Sequence, residues 1–235
     1  MEEVKRAGIK AVLWDVDGTL VDSLAPLLKS LRAAIATVAA EPTDADLKPL
    51  IGMPLRQQVL HFAPELPPNQ VDAVMELALN QFSQNKHLQR EFAAAIDGLV
   101  LCHKAGLANA VVTSKNSVEL ERFMVGFRAA RYVDVTICAD DVANPKPHPD
   151  AALKAIEILG CTNQEAIFIG DSVFDARCAL SAGIPFVAVS YGAGESNALL
   201  SAGAEQVLAT PHDVHLFITD LIRTNAWQER SQPLT

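Results

Sequence analysis

The sequence predicts an α/β fold: a doubly wound parallel sheet with helices on both faces and an all-helical insertion directly after its first strand. Three observations point to it. From Ile96 onward, short apolar runs (Ala108–Thr113, Val133–Cys138, Ala166–Gly170, Phe186–Ser190) alternate with helical stretches, which is the rhythm of βαβ units. Between residues 22 and 95 no run reads as a strand and the periodicity is wholly helical. The chain has 235 residues, half of them apolar, enough for one full α/β core carrying a smaller insertion.

Each element has its own justification. Residues 9–14 form an apolar run of the length of a buried strand and end in Asp15-Val16-Asp17-Gly18-Thr19. Asp22 or Ser23 then stands where a helix N-cap belongs, with Pro26 tolerated in the first turn and an alanine-rich stretch running toward Ala40. Thr43 and Asp46 have capping-box spacing, Pro54 begins a short helix, and Asn69 precedes a long amphipathic segment from Val71 to about His87. Gly106 and Gly160 fall where helix-terminating glycines belong. The expected organisation is a core of residues 1–21 and 96–235, an all-helical unit of residues 22–95, and hinges near Val21–Ala25 and Arg90–Ala95. The polar tail after Ala226 is expected to fray.

Composition narrows the function. A formal charge of −9 argues against a nucleic-acid surface, which needs clustered Lys and Arg. Met1 to Lys10 mixes charges without an apolar h-region, and no stretch reaches the roughly 18 apolar residues of a membrane span, so a cytoplasmic protein is expected. The four cysteines, Cys102, Cys138, Cys161 and Cys178, have neither metal-ligand nor disulfide-framework spacing and read as small buried apolar residues. His61, His87, His103 and His148 read as solvated or structural.

Chemistry gathers at the strand ends. Asp-Val-Asp-Gly alone is as good a turn as a site, but in open α/β sheets ligands bind beyond the carboxyl ends of the strands. Three later segments bear suggestive residues too. Thr113 and Ser114 end one strand ahead of a helix that Ser117 can cap, and a helix N-terminus favours an anion. Lys146 lies among three prolines in Asn144-Pro145-Lys146-Pro147-His148-Pro149, which can aim it inward. Gly170-Asp171-Ser172 ends another strand, with Asp175 one helical turn on.

Taken together, in this order along the whole chain, these residues resemble the four motifs of the haloacid dehalogenase superfamily, whose members are mostly phosphatases. Motif one matches Asp15 to Thr19, motif two Thr113, motif three Lys146, and motif four Gly170-Asp171-Ser172 through Asp175. The helical insertion resembles the cap of the branch containing phosphoglycolate phosphatases and β-phosphoglucomutases. The resemblance implies that Asp15 is a nucleophile forming an aspartyl phosphate, and that Asp17 protonates the leaving oxygen and later activates water. It implies Mg²⁺ held by Asp15, the backbone carbonyl of Asp17 and Asp171, with Asp175 behind them orienting a ligand or water. Lys146 and Thr113 would bind the phosphoryl oxygens, helped by the N–H groups of Ser114 and Gly18.

The second aspartate, on the same resemblance, selects a phosphate-ester leaving group over halides and phosphonates. Ile51-Gly52-Met53-Pro54-Leu55-Arg56 resembles the family's Gly-x-Pro substrate loop, so Arg56 is either a reader of a substrate carboxylate or phosphate or an exposed helix residue. Where this branch usually has a Pro-Gly pair at the return to the core, the chain has Phe92-Ala93-Ala94-Ala95.

The expectation is a Mg²⁺-dependent phosphatase acting on a small phosphorylated metabolite, 2-phosphoglycolate as first guess, with no nucleic-acid or membrane partner. A phosphomutase and an inorganic pyrophosphatase use the same core. A phospho-accepting receiver is a further alternative, against which the long insertion and the Asp171/Asp175 pair argue. Oligomeric state has no readable code.

Overall fold

A computed structural model describes residues 8–224, so the tail after Ala226 lies outside the described residues. The strands are β1 (Ala11–Trp14), β2 (Val21–Asp22), β3 (Arg90–Glu91), β4 (Ala108–Val112), β5 (Val135–Ile137), β6 (Ala166–Gly170), β7 (Phe186–Val189) and β8 (Gln206–Leu208). The helices are α1 (Leu24–Ile35), α2 (Asp44–Leu47), α3 (Leu55–Phe62), α4 (Pro68–Asn85), α5 (Ala93–Lys104), α6 (Ser117–Gly126), α7 (Asp150–Leu159), α8 (Val173–Ser181), α9 (Ser196–Ser201) and α10 (Pro211–Thr224).

One parallel sheet has the order β5-β4-β1-β6-β7-β8, and β2 pairs antiparallel with β3. The central strand shows why the sequence lacked polar alternation. Val12 and Trp14 pack into the apolar layer containing Leu99 of α5 and Ile218 of α10, while Ala11 and Leu13 face the layer containing Ala152 of α7 and Ala176 of α8. A strand covered on both faces has no polar side to show. Asn109, the one polar residue on β4, is satisfied in place: its Oδ1 accepts from Trp14 Nε1 at 2.9 Å, and its Nδ2 donates to the Leu99 and Tyr132 carbonyls at 3.0 Å.

Register aligns the strand ends. Trp14 of β1 lies opposite Val111 of β4 and Ile169 of β6, so Asp15, Thr113 and Asp171 emerge within one residue of a common level. The chain moves outward on one side of β1 through β4 and β5, then on the other through β6, β7 and β8. That reversal makes the crevice beyond β1 the place for a ligand.

The helices α1–α4 have apolar clusters of their own. Leu28, Leu31, Ile35, Leu47 and Ile51 form one, and Ala34, Val59, Val71, Val74 and Ala78 the other. The Thr43–Asp46 capping box forms as expected, Pro54 immediately precedes α3, and Gly160 ends α7 with φ 65°. No helix of the described residues is long and apolar enough to cross a membrane. Cys102, Cys138 and Cys178 are buried, Cys161 is partly exposed, and all four are free.

Four expectations need correction. The stretch between residues 22 and 95 is not wholly helical at its ends: Val21 pairs with Glu91 and Asp22 with Arg90, two residues per strand, too short to leave a periodic trace. β8 adds a sixth strand beside β7, again only three residues long. α1 stops at Ile35, and Ser23 does not cap it because its hydroxyl donates to Asp17 Oδ1 at 2.6 Å. Asn116, not Ser117, caps α6, exchanging bonds with Glu119, while Ser117 donates to Asp140.

At the return to the core, Phe92 replaces the expected Pro-Gly pair. Its N–H donates to the Leu20 carbonyl at 3.0 Å and its ring meets Tyr191 edge-on at 4.6 Å. Tyr191 Oη in turn donates to the Thr19 carbonyl at 2.8 Å, so the exit strand is tied to the turn bearing Asp17.

Candidate active site

Lys146 is the hub of the crevice. Its ammonium donates to Asp15 Oδ1 at 2.7 Å, to Asp175 Oδ1 at 2.6 Å and to the Val112 carbonyl at 3.1 Å, three acceptors for three donors. The side chain is fully enclosed. Burial pulls its pKa down, but the adjacent Asp15 and Asp175 carboxylates outweigh that and the net displacement is upward, so it stays charged.

Asp175 is placed by the start of α8. Its Oδ2 accepts from the Ser172 amide at 3.0 Å and the Ser172 hydroxyl at 2.6 Å, the reciprocal half of a capping box. Both of its oxygens are thus engaged by protein, and what it orients is Lys146 rather than a free ligand or water.

Asp171 sits in a tight socket. Its Oδ2 accepts from the Ala193 amide at 2.7 Å, and a β-carbon at either Gly18 or Gly192 would collide with its carboxylate. Oxygen atoms of Asp15, Asp171 and Asp175 lie within 4.8 Å of one another. Burial pushes the Asp15 carboxyl up to about 7, and the Asp175 charge adds to that. Burial likewise raises Asp171 well above the ordinary range, with the neighbouring carboxylates acting in the same sense. Three buried carboxylates facing one ammonium leave negative charge uncompensated. Hard oxygen donors in this arrangement suit Mg²⁺, which takes one or two carboxylates and completes its shell with phosphate and water.

Asp17 lies above this group on the cleft side. Ser23 Oγ and Lys115 Nζ donate to its two oxygens. Lys115 is buried, stands near Glu119, and has its ammonium 5.8 Å from the centre of the Phe82 ring on α4. Burial lowers its pKa, while Asp17 and Glu119 together raise it further than burial lowers it. Lys115 is a site residue that the motif pattern does not single out. The available signal was its position two residues beyond Thr113 on the same strand tip.

Thr113 is buried at the cleft floor, its hydroxyl accepting from the Lys115 amide at 3.3 Å. Ser114 Oγ donates to the Gly52 carbonyl at 2.6 Å and so fastens the tip of β4 to the loop before α3. Two expected binding groups are not available. The Gly18 amide donates to the Val21 carbonyl at 2.7 Å, closing the turn in which Gly18 has φ 80°, and cannot also serve an anion. Arg56 points away and pairs with Asp72 in an exposed position, and it does not line the cleft. The structure therefore brings together Asp15, Asp17, Thr113, Ser114, Lys146, Asp171 and Asp175, and leaves Arg56 apart.

The cleft between the strand ends and α1, α3 and α4 has a cavity volume of about 60 Å³. It shares Leu79, Phe82, Lys115 and Glu119 with an adjoining cavity of about 720 Å³.

Known proteins resemble this chain in sequence and in fold. The family model described as haloacid dehalogenase-like hydrolase matches residues 12–189. A phosphoglycolate phosphatase of Agrobacterium fabrum is 31% identical over 186 residues, 77% of this chain and 80% of that protein. An N-acetylmuramic acid 6-phosphate phosphatase of Pseudomonas aeruginosa is 30% identical over 192 residues, covering 80% and 85% of the two chains. The crystal structure of a hydrolase from Pseudomonas syringae superposes with a TM-score of 0.80 at 22% identity, covering 90% of this chain and 98% of that one.

Proposed function

The chain belongs to the haloacid dehalogenase-like hydrolases and is an enzyme of their phosphatase type, and from that premise we propose that it is a Mg²⁺-dependent phosphomonoesterase working through an aspartyl phosphate on Asp15. One observation carries this reading: Asp15 lies at a strand end within 2.7 Å of a fully enclosed lysine, beside a second buried carboxylate, Asp171, held by its own socket.

Asp15, Asp171 and the Asp17 carbonyl would hold the metal, whose charge offsets repulsion between the attacking carboxylate and the phosphoryl oxygens. The protein's own groups do the rest. Asp15 attacks phosphorus through the oxygen not bonded to Lys146. Lys146, fixed by Asp175, stabilises charge on the phosphoryl oxygens together with Thr113 and the Ser114 amide. Asp17, held by Ser23 and Lys115 at the cleft side, gives a proton to the leaving alcohol and then takes one from the water that cleaves the aspartyl phosphate. The 22–95 unit acts as a cap: Ser114–Gly52 and Lys115–Phe82 close it over the cleft and exclude water.

The test is phosphate release from p-nitrophenyl phosphate by the full chain. Hydrolysis that Mg²⁺ supports and a chelator abolishes is expected; metal-independent or absent hydrolysis overturns the reading. Release of free phosphate without transfer to a sugar separates this activity from a mutase. An apolar cap wall favours an organic leaving group over pyrophosphate.

Two further outcomes follow from the geometry. Gly18→Ala forces a β-carbon against the Asp171 carboxylate at a left-handed backbone position, so the Mg²⁺ concentration for half-maximal activity should rise by about 10-fold or more. Metal titration of the rate checks it, and an unchanged midpoint refutes the placement of Asp171. Arg56→Ala should leave kcat/KM within about twofold, because an exposed ion pair outside the cleft contributes little. 2-Phosphoglycolate, the substrate in the name of one relative, thereby loses the carboxylate reader that the sequence suggested for it.

A further inference from the structure

Asp171, the second carboxylate of the crevice, is held by a loop with little stiffness of its own. Its Oδ2 accepts from the amide of Ala193, which lies between Gly192 and Gly194 in the stretch joining β7 to α9. The close approach of the chain requires both glycines. A β-carbon at Gly192 would collide with the Asp171 carboxylate and the Gly18 carbonyl, and one at Gly194 with the Asp171 carbonyl. A Gly-Ala-Gly run permits that approach and, for the same reason, leaves the Ala193 amide free to shift unless something outside the run fixes it.

The residue ahead of the run supplies that fixture. Tyr191 Oη donates to the Thr19 carbonyl at 2.8 Å, in the turn that follows Asp17. Its ring meets the Phe92 ring with centroids 4.6 Å apart at an interplanar angle of 68°. Phe92 is the first residue after β3, and its own N–H donates to the Leu20 carbonyl at 3.0 Å, beside the carbonyl that Tyr191 reaches. One residue earlier, the Ser190 amide donates to the Leu208 carbonyl of β8 at 3.0 Å. The loop is thus fastened to the sheet at Ser190 and, through the Tyr191 side chain, to the Asp17 turn and the exit strand. Tyr191 lines neither the cleft nor the adjoining cavity, so its hydroxyl takes no part in the chemistry of the ester.

Resting on the reading of Asp171 as a metal ligand, we propose that Tyr191 is a positioning residue for the metal site. Its hydroxyl locks the loop of residues 190–195 to the Asp17 turn, Phe92 braces its ring, and Asp171 is thereby fixed relative to the Asp17 carbonyl with which it would share the ion. Groups that hold a metal ligand in place typically contribute about 10- to 100-fold to metal affinity.

The probe is Mn²⁺, a paramagnetic stand-in for Mg²⁺, titrated into the full chain without substrate and followed by electron paramagnetic resonance. Wild type should bind it, and Tyr191→Phe, which keeps the ring and removes only the hydroxyl, should bind it about 10-fold more weakly. At saturating Mg²⁺ the kcat of Tyr191→Phe on p-nitrophenyl phosphate should return to within about threefold of wild type, because the substitution shifts a ligand and removes no reacting group. Phe92→Leu should weaken Mn²⁺ binding by about threefold, and the double variant should bind no more weakly than Tyr191→Phe alone, since both changes act on one tie. Linkage gives a measurement that needs no variant: saturating Mg²⁺ should slow hydrogen exchange of the Phe92 amide in the wild type. An unchanged Mn²⁺ affinity in folded Tyr191→Phe, a kcat that saturating Mg²⁺ does not restore, or multiplied losses in the double variant overturns the proposal while leaving the phosphatase reading intact. If Tyr191→Phe fails to fold, a Phe92 amide whose exchange ignores Mg²⁺ overturns it equally. A wild type that binds no Mn²⁺ overturns the metal reading together with the proposal.

Discussion

Asp15→Asn should lower phosphate release by about 10⁴-fold or more while leaving the protein folded, because an amide oxygen cannot replace the carboxylate that attacks phosphorus. Steady-state hydrolysis of p-nitrophenyl phosphate measures the loss, and acid-quenched protein should show phosphorylated wild type but unphosphorylated variant. A variant retaining a tenth of the activity would refute Asp15 as nucleophile.

The same substitution has a stability signature of opposite sign. Burial, with the Asp175 charge, raises the folded-state pKa of Asp15 to about 7, so in metal-free protein the folded state binds more protons than the unfolded state across the window from the ordinary carboxylate range to that value. Stability from this group is therefore fully present below the unfolded pKa and is lost as pH rises toward 7; Asp171, raised by burial, acts in the same direction. One pKa unit corresponds to about 1.4 kcal/mol, so ionising Asp15 costs the metal-free fold on the order of a few kcal/mol. With chelator present, Asp15→Asn should raise Tm by several degrees at pH 8 and change it little near pH 4.5. Mg²⁺ should raise the Tm of the wild type more than that of the variant.

Lys146→Met should damage both rate and fold. The lysine neutralises Asp15 and Asp175 in a fully enclosed position, and its removal leaves two buried carboxylates facing Asp171 with no cation. Breaking a buried pair from one side costs about 3–5 kcal/mol, which predicts a Tm lower by roughly 10 °C in a chain of this size. Loss of its charge opposite the phosphoryl oxygens should cost about 10³-fold or more in kcat. Added Mg²⁺ should restore part of the Tm, since it supplies positive charge to the same carboxylates, but not the rate. Lys146→Arg should not rescue activity, because a guanidinium does not fit a pocket shaped to three acceptors of one ammonium. Wild-type turnover in either variant would remove Lys146 from the site.

What could be read from the chain was what repeats at strand ends. Asp15, Thr113 and Asp171 each follow an apolar run, and parallel register brings such ends to one level. Lys146 was legible only through its place in the resembled motif order, since a lysine in a loop is by itself usually solvated. Lys115 was not, since its partner Asp17 is 98 residues away and its place two residues beyond Thr113 was the one local hint. The Ala193 amide that holds Asp171 is a backbone group on a loop after β7, without side-chain chemistry to announce it. Arg56 misled for the converse reason: its residue type suited an anion, but the position of Asp72 on α4 decided which way it turned. Gly18 was picked for an amide that its own turn consumes.

The two-stranded ribbon of β2 and β3 has a mechanical meaning. The backbone of Val21 of β2 bridges to that of Asp17, and Ser23, just beyond, donates to the Asp17 carboxylate, so in the proposed reading the pivot of the cap and the proton donor would be adjacent in the chain. Gln58 of α3 and Ser30 of α1, by contrast, lie within residues 22–95 and line the cleft. A rotation of the proposed cap about the ribbon would displace these side chains far and Asp17 little, as a door moves at its handle and hardly at its hinge. Substitutions at such positions can therefore retune which alcohol departs without disturbing the atoms that break the ester, and exchange of residues 24–88 for the corresponding segment of a relative becomes a practical route to new substrates on an unchanged reactive centre.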